Sequence, residues 1–339
     1  MPQFAPADFA SDQDVRWCLG CGDYSILKAV QKTLAQISAK PETTVFISGI
    51  GCSSRFPYYL ETYGYHTIHG RAPAIATGVK LADPDLDVWI ITGDGDGLSI
   101  GGNHMLHLLR RNLDCQVLLF NNEVYGLTKG QCSPTSHAGT RTPSTPFGSV
   151  ERPITPCAFA LGAGARFVAR SFDVAQNKLP ELLQRAHAHK GASFVEIYQN
   201  CIVYNDGAFE KFSSKKCAAQ AQLWLERGKP MLFANGTKGI RLNRESLTLE
   251  VVPVATGNPQ AEVLLHDETN KAIAQLLIDM PFGGFPIALG VIYCDPAPAF
   301  DSVVLEQNRE ASAGKKRDLD ALLRMGETWS VAPAPDKRD

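Results

Sequence analysis

Asp87-Val88-Trp89-Ile90-Ile91-Thr92 runs straight into Gly93-Asp94-Gly95-Asp96-Gly97, and Cys115-Gln116-Val117-Leu118-Leu119-Phe120 runs into Asn121-Asn122-Glu123-Val124-Tyr125-Gly126. Each apolar run has strand length and stops at Gly, Asp or Asn, the form of a buried parallel strand. Asn122 follows Asp94 by 28 positions, room for a helix around Ser99–Arg111 and a return strand. A parallel crossover of that size sets both strand ends side by side. A Gly-rich turn lets backbone N–H groups approach a diphosphate, aided by the N-terminus of the following helix. A hard cation such as Mg²⁺ takes oxygen ligands and bridges to phosphates. Asp94 offers a carboxylate, Asn122 an amide oxygen and Val124 its backbone carbonyl. Either turn alone is ordinary; both at strand ends, in this order and at this spacing, point to a cofactor.

The same alternation continues outward from these two runs. Strands are expected at Thr44–Gly49, Ala165–Ala169 and Ser193–Tyr198 as well. Ile26, Leu27, Val30, Leu34 and Ile37 recur at helical spacing behind a cap at Asp23, and Leu179, Leu182, Leu183 and Ala186 form a second apolar stripe. Alternating β and α elements give an α/β fold, a doubly wound and mostly parallel sheet, which binds ligands at the carboxyl ends of its strands. Thr128–Thr155 is rich in Pro, Ser, Thr and Gly and reads as a long ordered loop, of the kind that often carries function. Beyond Asn205 the pattern weakens up to a helical segment near Arg309–Met325. The expected division is therefore a cofactor domain over residues 1–205 and a C-terminal extension over 206–339, packing on that domain and on a partner.

Bulk properties exclude other classes. The chain of 339 residues is 44% hydrophobic and 20% charged, as soluble globular proteins are, with a formal net charge of -2. That balance gives no electrostatic footprint for nucleic acid or an anionic membrane. Apolar runs such as Val45–Ile50 are far short of a bilayer span. Met1 to Arg16 carries Asp8, Asp12 and Asp14 and no apolar core, unlike a secretory signal, so a cytoplasmic location is expected.

Nine cysteines in such a chain are not a disulfide framework. Cys115, Cys157 and Cys294 fit small buried hydrophobes; Cys132 and Cys217 have no evident role. The remaining four differ. Cys18-Leu19-Gly20-Cys21 is a chelating pair, Cys52 follows a strand in Gly49-Ile50-Gly51-Cys52-Ser53-Ser54, and Cys201 follows the Ser193–Tyr198 strand. The last two sit on the side where the cofactor is expected. Four thiols so placed suit a tetrahedral zinc site or an iron–sulfur cluster. A thioredoxin-like dithiol fits less well, because Cys18 and Cys21 precede the first strand.

Taken in order, Trp17-Cys18-Leu19-Gly20-Cys21-Gly22, Gly-Ile-Gly-Cys-Ser, Gly-Asp-Gly, Asn-Asn-x-Val-Tyr-Gly and a late cysteine resemble the beta subunit of 2-oxoacid:ferredoxin oxidoreductases, densely over residues 15–205. The Gly-Asp-Gly and Asn-Asn pair is the cofactor motif of thiamine-diphosphate enzymes. The resemblance implies Mg²⁺ ligation by Asp94, Asn122 and the Val124 carbonyl, and diphosphate contacts from Gly95 and Asp96. It implies further cofactor contacts from Gly51, Cys52, Ser53, Gly93, Gly126 and Leu127. His66-Thr67-Ile68-His69-Gly70-Arg71-Ala72, before a helix over Ala74–Ala82 whose Gly78 could allow close approach, would lie over the diphosphate with His69 nearby. Cys18, Cys21, Cys52 and Cys201 would hold a [4Fe–4S] cluster.

The reaction so implied is loss of CO₂ from a 2-oxo acid on thiamine diphosphate, with electrons leaving singly through the cluster to ferredoxin and coenzyme A taking the acyl group, or the reverse carboxylation. In the 2-oxoglutarate-using branch, residues matching Arg55, Leu127 and Lys129 shape the substrate pocket, and guanidinium suits a distal carboxylate. Pyruvate or another 2-oxo acid is the alternative substrate. Rival readings are a non-redox thiamine decarboxylase with structural zinc and a non-catalytic iron–sulfur subunit. No Glu stands where a thiamine enzyme needs one for the aminopyrimidine. In this family an alpha subunit supplies it, so an αβ pair, dimerised, is expected.

Overall fold

The computed structural model describes residues 4–254, 263–315 and 318–332. Along the central strands successive side chains point to opposite faces, and both faces are apolar. Val88, Ile90, Val117 and Leu119 join one core cluster, while Trp89, Ile91, Leu118 and Phe120 join the other. A strand buried on both faces cannot alternate polar with apolar, hence the continuous Val/Ile/Leu runs. Helices Asp23–Gln36 and Lys178–Ala188 cover the second cluster, and Ala72–Ala82, Gly102–Arg111, Pro156–Gly162 and Lys271–Ile278 cover the first.

The resulting eight-stranded sheet has the order Tyr63–His66, Thr44–Ser48, Asp87–Gly93, Cys115–Asn121, Ala192–Tyr198, Phe167–Phe172, Ile287–Cys294, Gln222–Leu225. All pairs are parallel except Ile287–Cys294 against Phe167–Phe172. The expected doubly wound, mostly parallel α/β architecture is thus the one observed. A small antiparallel sheet of Leu232–Phe233, Lys238–Asn243 and Thr248–Pro253 is separate in hydrogen bonding but shares the first core cluster through Phe233, Ile240, Leu249 and Val252.

Several boundaries differ from expectation. The strand expected over Ala165–Ala169 is Phe167–Phe172, because Gly164 and Ala165 finish the preceding helix. Gly22, not Asp23, takes the cap position of the first helix, and Asp23 is buried in its first turn without a capping bond. The helix after Gly-Asp-Gly opens as a wide turn over Asp96–Ile100 before the α-helix Gly102–Arg111. Gly78 brings nothing close, since an added Cβ there would meet no atom within 4 Å.

The division at residue 205 also moves. Gln222–Leu225 and Ile287–Cys294 complete the main sheet, so Met1–Ser302 form one compact unit and Val303–Asp339 another. Helices near the C-terminus run over Phe300–Ser312 and Leu319–Leu323; Lys316 and Arg317, within the helical segment expected there, lie outside the described residues. No helix of the described residues is long and apolar enough to cross a membrane.

Candidate active site

Gly93 and Phe120 pair at the ends of two adjacent parallel strands, so the two turns that follow them face each other. Asp94, Gly95, Asn122 and Val124 line one cleft with Gly51, Cys52, Ser53, His69, Gly93, Gly126 and Leu127. Asp94 is 3% exposed, and its Oδ2 accepts hydrogen bonds from Ser133 Oγ and Thr135 Oγ1, each at 2.6 Å. Burial pushes the Asp94 carboxyl above its ordinary value, and the two hydroxyls oppose that rise. Asn122 Oδ1 accepts from the Val124 N–H at 3.2 Å. Glu123 between them has φ 56°, and Ser136 Oγ donates to its carbonyl at 2.6 Å, so the turn is pinned in a left-handed conformation. A carboxylate, an amide oxygen and a backbone carbonyl around one cleft are the hard donors that Mg²⁺ takes.

Asp96 lines the same cleft, and its carboxylate is engaged in the cleft wall. Its Oδ1 accepts from the N–H of Gly70 at 2.7 Å and of Ile50 at 3.0 Å, and lies 2.5 Å from His69 Nδ1. Thr92 Oγ1 donates to Oδ2 at 2.6 Å. The carboxylate is therefore consumed in tying three segments together, and only its backbone, in the turn that opens the helix, is placed as a diphosphate-binding N–H would be. The same bonds fix the proton of His69 on Nδ1 and hold its ring in the cleft wall. Gly95 is required by close approach, since an added Cβ would sit 2.2 Å from the Tyr125 ring, whose hydroxyl donates to the Gly95 carbonyl.

The four selected cysteines converge. Cys18, Cys21, Cys52 and Cys201 line a second cleft of about 260 Å³, which shares Cys52, Asn122, Gly126 and Leu127 with the first. Gly20 at φ 87° turns the Cys18–Cys21 loop, the Cys21 N–H returning to the Cys18 carbonyl at 3.0 Å. Trp17 Nε1 donates to the Cys52 carbonyl at 2.7 Å, and the Gly22 N–H to the Asn200 carbonyl at 3.2 Å, so the three cysteine segments are stitched together. A Cβ on Gly126 would stand 3.5 Å from Cys52 Sγ and 3.7 Å from Cys201 Sγ. Burial, the neighbouring Asp23 and the other cysteines push the Cys52 thiol up to about 11 and raise Cys21 further. Such thiolates need a cationic centre to neutralise them. Among the described residues no three His, Cys, Asp or Glu groups are drawn together tightly enough for a single ion.

Arg55, Leu127 and Lys129 meet at the cysteine cleft, together with Arg16, which the sequence did not single out. Leu127 alone of the three also lines the Asp94 cleft. Arg55 Nη1 donates to the Arg16 carbonyl at 3.4 Å, and its charge lowers Cys52 against the other influences. Ser133, Thr135 and Gln199 are further residues the sequence left unmarked. The first two lie in the Thr128–Thr155 loop, whose length was the available signal. Cys157 is buried as expected, and its thiol donates to Glu196 Oε2 at 3.1 Å. Cys115 is buried and Cys294 only partly so.

Residues 49–197 match the family model of the thiamine pyrophosphate enzyme C-terminal TPP binding domain. The chain is 46% identical to the 2-oxoglutarate oxidoreductase subunit KorB of Mycobacterium tuberculosis, over 96% of this chain and 88% of the relative. It is 48% identical to the 2-oxoacid:ferredoxin oxidoreductase 1 subunit beta of Aeropyrum pernix, over 56% of this chain and 60% of that subunit. Among solved structures, a 2-oxoglutarate:ferredoxin oxidoreductase from Magnetococcus marinus with 2-oxoglutarate, coenzyme A and succinyl-CoA bound superposes with a TM-score of 0.78 at 32% identity, covering 97% of this chain and 98% of the other.

Proposed function

The chain belongs to the family of 2-oxoacid:ferredoxin oxidoreductase beta subunits, and from that membership we propose that, with an alpha subunit, it converts 2-oxoglutarate and coenzyme A to succinyl-CoA and CO₂, or runs the reverse carboxylation. The observation that carries the reading is the meeting of two clefts at one set of strand ends, one walled by Asp94, Asn122 and Val124, the other by Cys18, Cys21, Cys52 and Cys201. When bound, thiamine diphosphate supplies the carbanion chemistry of decarboxylation and a [4Fe–4S] cluster accepts the electrons one at a time.

The residues of this chain have physical tasks in that reaction. Asp94, the Asn122 amide oxygen and the Val124 carbonyl would hold Mg²⁺, and backbone N–H groups at Gly95 and Asp96 would bind a diphosphate. His69, its Nδ1 proton held by Asp96, orients its other nitrogen into the cleft. The four cysteines would hold the cluster, and Asn122, Gly126 and Leu127 are shared between the two clefts. Arg55 and Lys129, with Arg16, give that boundary a positive field for a dicarboxylate. The full-length relative named for 2-oxoglutarate supports that substrate over pyruvate. The reading includes ferredoxin as electron partner, a dimer of αβ pairs, and a cytoplasmic location, where cysteines outside the cluster stay reduced.

Metal and absorbance analysis of the anaerobically purified αβ complex tests it. About four irons per chain and a brown colour that bleaches with 2-oxoglutarate plus coenzyme A are expected. Asp94→Ala should lose thiamine and keep the colour, and Cys52→Ser the reverse. Zinc without colour would move the function to a non-redox decarboxylase.

A further inference from the structure

Gln199 follows the Ala192–Tyr198 strand and is 2% exposed. Its side chain spans the wall between the two clefts. Oε1 accepts from Asn122 Nδ2 at 2.8 Å, while Nε2 donates to the Asn200 carbonyl at 2.6 Å and stands 3.2 Å from Cys21 Sγ. Its own N–H donates to the Asn121 carbonyl at 2.9 Å, which fixes the backbone behind it.

The direction of this chain of bonds is dictated by its ends. A carbonyl oxygen and a metal-bound thiolate only accept, so Nε2 must face Asn200 and Cys21. Oε1 then faces Asn122, whose Nδ2 must be the donor. That leaves Asn122 Oδ1 turned towards the Val124 N–H and the cleft, the orientation a cation ligand needs. Each amide thereby sets the other. Asn205 makes a second link, its Nδ2 donating to the Asn122 carbonyl at 2.9 Å and its N–H to the Cys201 carbonyl at 3.0 Å, but among the described residues only Gln199 joins the Asn122 turn to a cysteine sulfur of the second cleft.

We propose that Gln199 is a positioning residue that couples the two cofactor sites, donating an N–H···S bond to the Cys21 thiolate while locking Asn122 for the metal. The inference rests on the cluster reading above. A hydrogen bond to a cluster sulfur stabilises the reduced state, so Gln199 raises the cluster potential. Through Asn122 the same side chain acts on Mg²⁺ as an outer-shell partner, whose loss commonly costs about tenfold in metal affinity.

The test uses the anaerobic αβ complex with Gln199→Leu and Gln199→Glu. Iron analysis comes first: a wild-type chain without iron overturns the cluster reading, and this inference with it. With iron present in all three proteins, redox titration followed by electron paramagnetic resonance should show the midpoint shifted negative in Gln199→Leu. It should shift further in Gln199→Glu, which adds charge and cannot donate. The Mg²⁺ concentration needed to retain thiamine diphosphate should rise about tenfold in Gln199→Leu. Identical midpoints in all three would overturn the proposal. Loss of the cluster in both variants, with thiamine still bound, would also overturn it, making Gln199 a brace of the Cys201 segment instead.

Discussion

Thr135 Oγ1 stands 2.6 Å from Asp94 Oδ2, so a residue in the middle of the long loop holds the acid at the end of the Asp87–Gly93 strand. The same hydroxyl lies 3.0 Å from Asn121 Oδ1, on the neighbouring strand end. Thr135→Val keeps the shape and removes the donor. Outer-shell losses of this kind typically lower metal affinity by about 10–100-fold, so Mg²⁺-dependent retention of thiamine diphosphate should fall by that order while the iron content stays unchanged. Calorimetric titration of the αβ complex reads it; an unchanged affinity would detach the loop from the metal site.

The strand ends were legible in sequence because both carry their whole signal locally, an apolar run and then a turn of Gly, Asp or Asn. The polar side chains that bond to Asp94, Asn122 and Cys21 were not. Gln199 meets Cys21 and Asn122 across 178 and 77 positions, and Ser133 meets Asp94 across 39, distances over which a polar loop residue carries no period. The Ile287–Cys294 strand was hidden for a different reason. Gly290 breaks its apolar run, sits at φ 94°, and leaves an added Cβ 3.0 Å from the Leu225 carbonyl, so the position reads as a turn although the sheet needs glycine there. The Asp23 misreading has the same root, since a capping type in the right place was buried beside Cys21 instead.

Asp96 should be structural before it is catalytic. Alanine would strand two backbone N–H groups and the His69 Nδ1–H, each unsatisfied donor costing about 1–3 kcal/mol. Asparagine keeps an acceptor at Oδ1 and can donate to Thr92 Oγ1 in place of Oδ2. The expected order is a loss of roughly 3 kcal/mol or more for Asp96→Ala and about 1 kcal/mol for Asp96→Asn, read from urea unfolding. Equal losses would contradict the hub.

A second buried network backs the Asn121 end of the site. Arg170 Nε and Glu196 Oε2 are 2.8 Å apart with side chains 4% and 0% exposed, and Glu196 Oε1 accepts from Asn121 Nδ2 at 2.8 Å. Removing one member of a buried pair leaves an uncompensated charge, typically worth about 3–5 kcal/mol. Arg170→Leu should therefore destabilise by that amount. Arg170→Leu with Glu196→Gln should recover part of it, because the neutral amide still accepts from Asn121. A double-mutant cycle showing no coupling would remove the pair from the account.

Stability should also fall in mild acid, through His266. It is 2% exposed, its Nε2 lies 2.8 Å from the Val291 carbonyl, and its Nδ1 has no partner among the described residues. Burial lowers its folded-state pKa below 6.5, although the bond to Val291 and the nearby Glu268 and Asp267 charges oppose the shift. Between that lowered value and 6.5 the unfolded chain binds the proton and the folded chain does not. Unfolding then takes up protons, so stability rises with pH across that window and is lost as pH falls through it; above 6.5 the group contributes no slope. His189, also lowered by burial, adds a slope of the same sign. His266→Gln keeps a donor for Val291 and cannot titrate, so urea midpoints measured between about pH 5 and 7 should fall less steeply in the variant. Parallel curves for the two proteins would mean that His266 titrates alike in the folded and unfolded chain, and would contradict the shift by burial.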